Sequence, residues 1–93
     1  MRRELTWSPT FRRKMRRRLK THPQDGAELQ ATLVALSDDA FQACLFTHKL
    51  KGKWSGYWAC TVGYDFRIVF EFVAHKGAEA IRLHTLGTHN EVY

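Results

Sequence analysis

The second half of the chain contains three runs of aromatic and β-branched residues separated by turn-forming glycines. The runs extend over residues 57–62, 66–73 and 80–86. In the middle run, apolar side chains occupy every second position from Phe66 to Phe72, whereas Arg67 and Glu71 fall on the other side. A period of two is typical of a strand with one covered and one open face. The pattern predicts an antiparallel meander with a covered phenylalanine face and with Arg67 on the open face.

Two segments with helical periodicity precede these runs. Ser8 followed by Pro9 predicts a helix start, since a serine side chain caps a backbone N–H and proline suits the first helical position. This helix should extend over residues 8–22 and end at a break. A second helix should begin near Asp25, because leucines recur at helical spacing at positions 29, 33 and 36 and residues 37–39 end the pattern.

The order of these elements predicts a small α+β domain with the sequence β-α-α-β-β-β. A short strand at residues 3–7 opens this order, and residues 38–55, which lack clear periodicity, should form a partly packed loop. A chain of 93 residues, 44% of them hydrophobic, can form one modest core and not two. We therefore expect a single domain over residues 1–93, with an antiparallel sheet packed on a helical hairpin.

Cysteine content and hydropathy argue against several classes of protein. Cys44 and Cys60 lie neither in a C-x-x-C pair nor near a histidine at metal-binding spacing, so neither a disulfide framework nor a structural metal site is expected. No apolar run approaches the roughly 20 residues that span a bilayer, and the N-terminus lacks the apolar core of a signal peptide. The composition favours a soluble protein of the cytoplasm.

Positive charge is concentrated at the N-terminus. The first 20 residues hold nine of the 15 basic residues and one of the nine acidic residues. Most of these cations lie on the first predicted helix: Arg12, Arg13, Lys14, Arg16, Arg17, Arg18 and Lys20. Crowded like charges repel one another, and a polyanion or an acidic protein segment relieves that repulsion. Nucleic acid is the leading partner, an acidic protein segment is the second, and a solvated charged face is the simplest interpretation.

An apolar stripe and a second cationic patch accompany this helix. The stripe contains only Phe11, Met15 and Leu19, which is too narrow for firm insertion into a membrane. No membrane partner is therefore expected. The second patch follows in the predicted loop and contains Lys49, Lys51 and Lys53.

Three polar clusters lie along the strand-rich half of the chain. They read HKLKGK at residues 48–53, GYDFRIVF at residues 63–70 and GTHNEVY at residues 87–93. An antiparallel sheet can bring residues from its strands and from the chain end to one surface. Histidine, carboxylate, guanidinium and phenol gathered in this way suit phosphodiester cleavage.

Together with GYW at residues 56–58, these motifs closely resemble the RelE/ParE superfamily of toxin–antitoxin toxins, over nearly the whole chain. The ending is most similar to the YafQ and RelE/StbE-like members. The resemblance implies a RelE-like fold and a type II toxin that is a ribosome-dependent mRNA endoribonuclease, or mRNA interferase. It also implies three partners, namely a cognate antitoxin that wraps over the basic helix and the sheet edge, the 70S ribosome and mRNA.

The same resemblance assigns candidate site residues one by one. His48, Asp65, His89 and Tyr93 occupy places that match the histidines, aspartate and terminal aromatic residue of YafQ-like proteins. Arg67 matches a strand arginine of RelE-like members. No metal ion or cofactor is implied. The division of acid and base roles stays open.

Three positions depart from the family pattern. Thr61 stands where YafQ-like toxins carry a histidine. Trp58 and Cys60 stand where RelE has lysines on the same strand. These departures bear on whether the chain is a fully active nuclease.

RNA cleavage by its own 2′-hydroxyl requires a base, an acid and positive charge for the crowded phosphorane. We assign the acid to His89 and the base to His48 or Asp65. Arg67 should stabilise the transition state with help from Lys49 or Lys51. Tyr93 should stack on a base or hydrogen-bond the phosphate.

Two other functions fit the sequence. A ParE-like inhibitor of DNA gyrase shares the fold without ribonuclease chemistry, and the ending with His89 and Tyr93 argues against it. A nuclease-inactive module that binds RNA or an antitoxin is the second, and Thr61 favours it.

Structural interpretations of the site residues also stand open. His48 fits a plain loop histidine, and Asp65 fits the turn after Gly63. Arg67 fits an ion pair with Glu71 on the same strand face.

Overall fold

A mixed five-stranded sheet forms one layer of the fold, and two helices form the other. The computed structural model describes residues 2–92. Its strands are β1 (Leu5–Trp7), β2 (His48–Lys49), β3 (Trp58–Val62), β4 (Phe66–His75) and β5 (Ala78–Thr88), in the sheet order β1-β5-β4-β3-β2. Its α-helices are α1 (Pro9–Thr21), α2 (Gly26–Asp38) and α3 (His89–Val92). The α+β class and the antiparallel meander of β3, β4 and β5 are confirmed.

The first strand lies at one edge of the sheet, where β1 pairs with β5 in parallel. The sequence predicted the strand but not this orientation, because a pairing between the two ends of a chain leaves no local pattern. The predicted cap at Ser8 is confirmed: its Oγ accepts from Phe11 N at 3.0 Å and donates to the His84 carbonyl at 2.7 Å. Ser8 thus starts α1 and fastens it to β5.

The segment predicted as a loop is more ordered than its composition indicates. His48 and Lys49 form β2, which pairs with β3, and 3₁₀ turns flank it at Ala43–Leu45 and Gly52–Trp54. The prediction was wrong here because a strand of two residues is held by the backbone of its neighbour and shows no periodicity of its own. The pairing places His48 and Lys49 at the outer edge of the sheet.

The main core lies between the helix pair and the phenylalanine face of the sheet. Phe11 from α1, Leu36 from α2 and Phe70 from β4 are fully buried in it. The β4–β5 register shifts between Val69 and Phe70, whose partners are Thr85 and Leu83. His84 is therefore the extra residue of a β-bulge in β5. The bulge lets residues on both sides of it point into the core.

The second face of the sheet is partly covered, whereas the sequence predicted an open face. Val69 and Ala59 lie on this face by register and are fully buried. The rings of Trp54, Tyr57 and His84 form a cluster beside them, with centroid distances of 4.7 to 5.7 Å. The prediction was wrong because it assigned Trp54 to a loop and gave no role to His84. The face stays accessible toward Arg67, which is half-buried.

Two observations concern the cysteines and the possibility of a membrane-spanning helix. Cys44 is exposed, Cys60 is buried, and both are free thiols. Burial raises the pKa of the Cys60 thiol to about 12, which makes this thiol unreactive. Within residues 2–92, no helix has the length and apolar character needed to cross a membrane.

Candidate active site and nucleic-acid interface

Arg67 lies at the centre of the candidate site. Its Cα partners are Thr61 on β3 and Gly87 on β5, so one side of the arginine faces a hydroxyl and the other faces a residue without a side chain. Its Nη1 donates to the Phe66 carbonyl at 3.2 Å. Glu71 forms an ion pair with Arg82 at 3.7 Å. The Arg67 guanidinium therefore has no ion-pair partner within residues 2–92.

His48 lies on the same sheet face, two strands from Arg67. Its Cα partner is Ala59 on β3, which lies two residues from Thr61, the partner of Arg67. From the spacings of a sheet, the Cα atoms of His48 and Arg67 are roughly 12 Å apart. The exposed His48 ring has Nδ1 at 2.9 Å from the Phe46 carbonyl oxygen. Because a carbonyl only accepts, this contact places the proton of a neutral ring on Nδ1 and leaves Nε2 as a hydrogen-bond acceptor.

An exposed aromatic residue precedes this histidine. Phe46 is 71% exposed and has a positive φ of 50°, a backbone conformation that bulky residues rarely adopt. The Thr47 hydroxyl donates to the Ala40 carbonyl and fixes the segment beside it. The sequence analysis gave Phe46 no functional role. Its ring offers a flat surface next to His48.

Asp65 is exposed in the turn between β3 and β4. It lines a cleft of about 220 Å³ together with Arg18 and Glu28. This cleft lies on the side of the sheet that carries the helices, since Phe66 and Val62 also line it. The fold therefore separates Asp65 from the face that carries His48 and Arg67.

His89 is the first residue of α3 and follows directly after β5. The Thr88 backbone N–H donates to Glu91 Oε1 at 2.7 Å. This bond lowers the pKa of Glu91, with a smaller contribution from the positive charges of Lys14 and Arg18. The arrangement is one half of a capping box, for which the sequence T-x-x-E at residues 88–91 was an available signal. The cap fixes the backbone that carries His89.

Gly87 permits this tight connection between β5 and α3. A Cβ at this position would lie 3.0 Å from the Cβ of Glu91 and 3.3 Å from a methyl carbon of Val92. Such contacts would push α3 away from the strand. Gly87 is also the Cα partner of Arg67, so His89 follows two residues after the point where β5 pairs with Arg67. Tyr93 lies outside the described residues.

The aromatic cluster of Trp54, Tyr57 and His84 is the main feature that the sequence analysis missed. Burial and the charge of Arg82 lower the pKa of His84 against an opposing effect of Glu71, so its ring is neutral at neutral pH. The cluster fastens the turn that carries Lys51 and Lys53, both exposed. The turn at residues 52–56 begins and ends with glycine and has aromatic residues within and after it. This pattern was a sequence signal for an aromatic cluster that covers the sheet.

The predicted basic helix presents two different surfaces. On one side is the basic cleft, of about 190 Å³, lined by Lys14, Arg17, Arg18, Thr21, Phe66, Leu86, Gly87 and Glu91. On the other side is the apolar groove, of about 420 Å³, lined by Trp7, Arg12, Met15, Arg16 and Leu19. Arg13 and Lys20 are exposed and line neither surface. The stripe residues Met15 and Leu19 are thus shared between the core and the apolar groove.

The remaining cations have different surroundings. Lys49 Nζ lies 5.5 Å from the centroid of the Trp58 ring. Trp58 stands where RelE has a lysine, and here it makes a cation–π contact with Lys49.

Among residues 2–92, no group of three or more histidine, cysteine, aspartate or glutamate side chains has the geometry to hold a metal ion.

Comparison with solved structures identifies the fold. YafQ from Escherichia coli strain BL21(DE3) superposes with a TM-score of 0.79 at 22% identity, over 98% of each chain. YafQ in the E. coli DinJ–YafQ toxin–antitoxin complex gives a TM-score of 0.77 at 22% identity, over 100% of this chain and 99% of that chain. A YoeB/ParE toxin from Agrobacterium tumefaciens gives 0.76 at 15% identity, over 92% and 98%. The domain thus has the fold of the YafQ and YoeB toxins.

The sequence narrows this class to one family. The family model described as the bacterial toxin of type II toxin–antitoxin systems, YafQ, matches residues 3–93. The chain therefore belongs to the YafQ family of type II toxins, as the resemblance of its motifs predicted. No curated protein matches the chain significantly.

Proposed function

We propose that this toxin is an mRNA endoribonuclease that acts on the ribosome and stops translation. The observation that carries the proposal is the pairing of Arg67 with Gly87, which puts a guanidinium beside the backbone that leads to His89. His48 lies on the same face of the sheet. A scissile phosphate over Arg67 would lie between two histidines, which is the arrangement that acid–base cleavage of RNA requires.

The proposed reaction needs only proton transfers and charge stabilisation. A base removes the proton of the 2′-hydroxyl, whose oxygen attacks the adjacent phosphorus and forms the 2′,3′-cyclic phosphate. An acid protonates the departing 5′-oxygen. Arg67 stabilises the extra negative charge of the phosphorane, a contribution that typically amounts to about 100- to 1000-fold in rate.

The position of each histidine supports its role. The Phe46 carbonyl leaves Nε2 of His48 unprotonated in the neutral ring, which suits the base. His89 follows β5, which lies on the side of β4 opposite to β3 and β2, and we assign it the role of the acid. Asp65 points to a different cleft, so we prefer His48 as the base. Tyr93 keeps its proposed role as a stacking residue.

The partners follow from the family and the surface. A cognate antitoxin is proposed because E. coli YafQ forms a complex with DinJ. The apolar groove, with Arg12 and Arg16 at its border, suits an acidic amphipathic segment of such an antitoxin. The remaining cations of α1 and the patch at Lys49, Lys51 and Lys53 suit ribosomal RNA and mRNA.

A nuclease-inactive binding role is the second candidate. Thr61, and not a histidine, is the neighbour of Arg67 on β3. A threonine neither donates nor accepts a proton in the pH range of an enzyme. Activity without this histidine requires that His48 and His89 suffice as base and acid.

The test is cleavage of mRNA in a translating cell-free extract, with 5′ ends mapped by primer extension. The wild type and a His75→Ala variant should both give codon-phased cuts, whereas His89→Ala should lose about 100-fold or more of the activity. His75 is the matched control because it lies at the far end of β4, where it contacts Glu4 at 3.6 Å. Intact mRNA with the wild type would support the inactive binding role, and full cleavage by His89→Ala would remove His89 from the mechanism.

A further inference from the structure

The two sides of α1 carry different pairs of basic residues. Residues of an α-helix advance by about 100° each, so Lys14 and Arg17 lie on one side of α1 and Arg12 and Arg16 lie on the other. The first pair lines the basic cleft, and the second pair borders the apolar groove. One run of basic residues thus supplies two separate surfaces.

Lys14 and Arg17 supply charge that the fold does not neutralise. Arg18 is already committed, since it forms an ion pair with Asp25 at 2.8 Å and stacks on Phe66 at 4.5 Å. Ion pairs within residues 2–92 otherwise involve Arg3, His75 and Arg82. The basic cleft therefore contains two cationic groups that need a counter-charge.

Among residues 2–92, Glu91 is the one carboxylate that lines the basic cleft. Its Oε1 accepts from the Thr88 N–H at 2.7 Å, and that bond lowers its pKa. The carboxylate is therefore charged and engaged with the backbone. The charge of Lys14 also acts on Glu91 and lowers its pKa. Lys14 and Arg17 together outweigh this carboxylate, and the cleft has a net attraction for anions.

The cleft lies on the side of the sheet that carries the helices, at the end of β5 that leads to His89. Gly87, which lines it, is the Cα partner of Arg67, and His89 follows two residues later. Phe66, which also lines the cleft, is the chain neighbour of Arg67. To reach the cleft, a strand whose scissile phosphate contacts Arg67 and His89 would pass round the end of the sheet, from the face of Arg67 to the side of α1.

We propose that the basic cleft binds a backbone phosphate of the RNA strand next to the cleaved linkage, through Lys14 and Arg17. The inference rests on the proposed nuclease function. It divides α1 into a side that contacts RNA, with Lys14 and Arg17, and a side that does not, with Arg12 and Arg16. An arginine fork and a lysine point charge together suit a phosphate oxygen pair. An acidic protein segment fits this cleft less well, because the apolar contacts that would hold it are on the other side of the helix.

The test compares two charge-matched double variants. Lys14→Gln/Arg17→Gln and Arg12→Gln/Arg16→Gln each remove two positive charges from one helix, and glutamine keeps the helix propensity. Binding of a fluorescent single-stranded RNA with a 2′-deoxy group at each position that could be cut is measured by anisotropy over a series of salt concentrations. The slope of log K against log salt is negative, and each lost phosphate contact makes it less steep by about 0.7. The first variant should lose about 0.7 in slope, because both cations contact one phosphate, and the second should stay close to the wild type.

A third variant changes affinity in the opposite direction. Glu91→Gln keeps an oxygen that accepts from Thr88 N–H and removes the negative charge of the cleft. Its RNA affinity should rise several-fold at low salt. A general loss of folding cannot produce a gain of affinity, and circular dichroism of all variants checks their structure.

Several outcomes overturn the proposal. Equal slopes for the two double variants would mean that RNA senses only the total charge of α1. Unchanged or weaker binding by Glu91→Gln would mean that the anion lies elsewhere. If Lys14→Gln/Arg17→Gln loses affinity for polyglutamate and not for RNA, the cleft serves a protein partner. Because the RNA is not cleavable, these results do not depend on the nuclease assay, so a failed cleavage experiment and a failed cleft experiment can be told apart.

Discussion

A few residues at the junction of β5 and α3 decide where the candidate acid lies. Gly87 leaves the space that the side chain of Glu91 occupies, and Glu91 returns a carboxylate oxygen to the Thr88 N–H. Val92 is buried and packs the short helix against the strand. Each contact is small, but together they fix the backbone before and after His89.

Glu91 should make the stability of this junction depend on pH. Its pKa in the folded protein is lowered by the Thr88 N–H bond from the ordinary value of 4.5. A lowered carboxylate pKa contributes stability that is present above the ordinary value and is lost as the pH falls through the lowered one. A Glu91→Ala variant should therefore melt a few degrees below the wild type at pH 7, and the difference should shrink below about pH 4. Thermal unfolding followed by circular dichroism at both pH values measures it.

The control for this prediction is Glu79→Ala, which removes an exposed carboxylate at the other end of β5. Its ion pair with Arg3 is at the surface and contributes about 0 to 1 kcal/mol. A melting difference between Glu91→Ala and the wild type that stays constant down to pH 3 would contradict a role for the charged carboxylate.

At the scale of elements, the segment from β2 to β3 acts as a cover for the second face of the sheet. The Leu50 N–H donates to the Tyr57 carbonyl at 3.0 Å, and the Tyr57 N–H donates to the Trp54 carbonyl at 3.0 Å. These bonds fold the turn back so that Trp54 and Tyr57 reach His84. The same turn carries Lys51 and Lys53, which are exposed.

Trp54→Ala should test this cover. We expect a loss of about 2–3 kcal/mol in the free energy of unfolding, below the range for a fully buried aromatic residue because Trp54 is only half-buried. Urea unfolding measures the loss. Tyr64→Ala is the control, since Tyr64 is 98% exposed and should change stability little. Equal stability of Trp54→Ala and the wild type would show that the cluster does not cover the sheet.

At the scale of the whole molecule, charge is the main asymmetry. The chain carries a net charge of +6, and α1 holds seven of its cations within nine residues, from Arg12 to Lys20. Most of these groups have no ion-pair partner within residues 2–92. The free protein therefore retains repulsion along α1 that an anionic partner removes.

This repulsion predicts that salt stabilises the free toxin. Raising sodium chloride shortens the screening length from about 10 Å at 0.1 M to about 3 Å at 1 M, so the melting temperature should rise by several degrees. The double variant Arg13→Gln/Lys20→Gln removes two exposed cations and should show a smaller rise. A melting temperature that falls with salt, or an equal rise in the variant, would contradict self-repulsion as the cause.

The sequence by itself determined the local elements and the family. Ser8 and Pro9 gave the start of α1, the alternation from Phe66 to Phe72 gave β4, and the motifs at residues 48–53, 63–70 and 87–93 gave the toxin class. These features depend on a few neighbouring residues, because caps, strand alternation and short motifs are local. They could therefore be predicted before the fold was known.

Only the tertiary structure decided how distant segments meet. The parallel pairing of β1, the short strand at His48, the bulge at His84 and the cover formed by Trp54 depend on residues far away in the chain. The same holds for the separation of Asp65 from Arg67 and for the division of α1 between two surfaces. These contacts have no period along the sequence, because their partners are fixed by packing across the sheet and not by position in the chain.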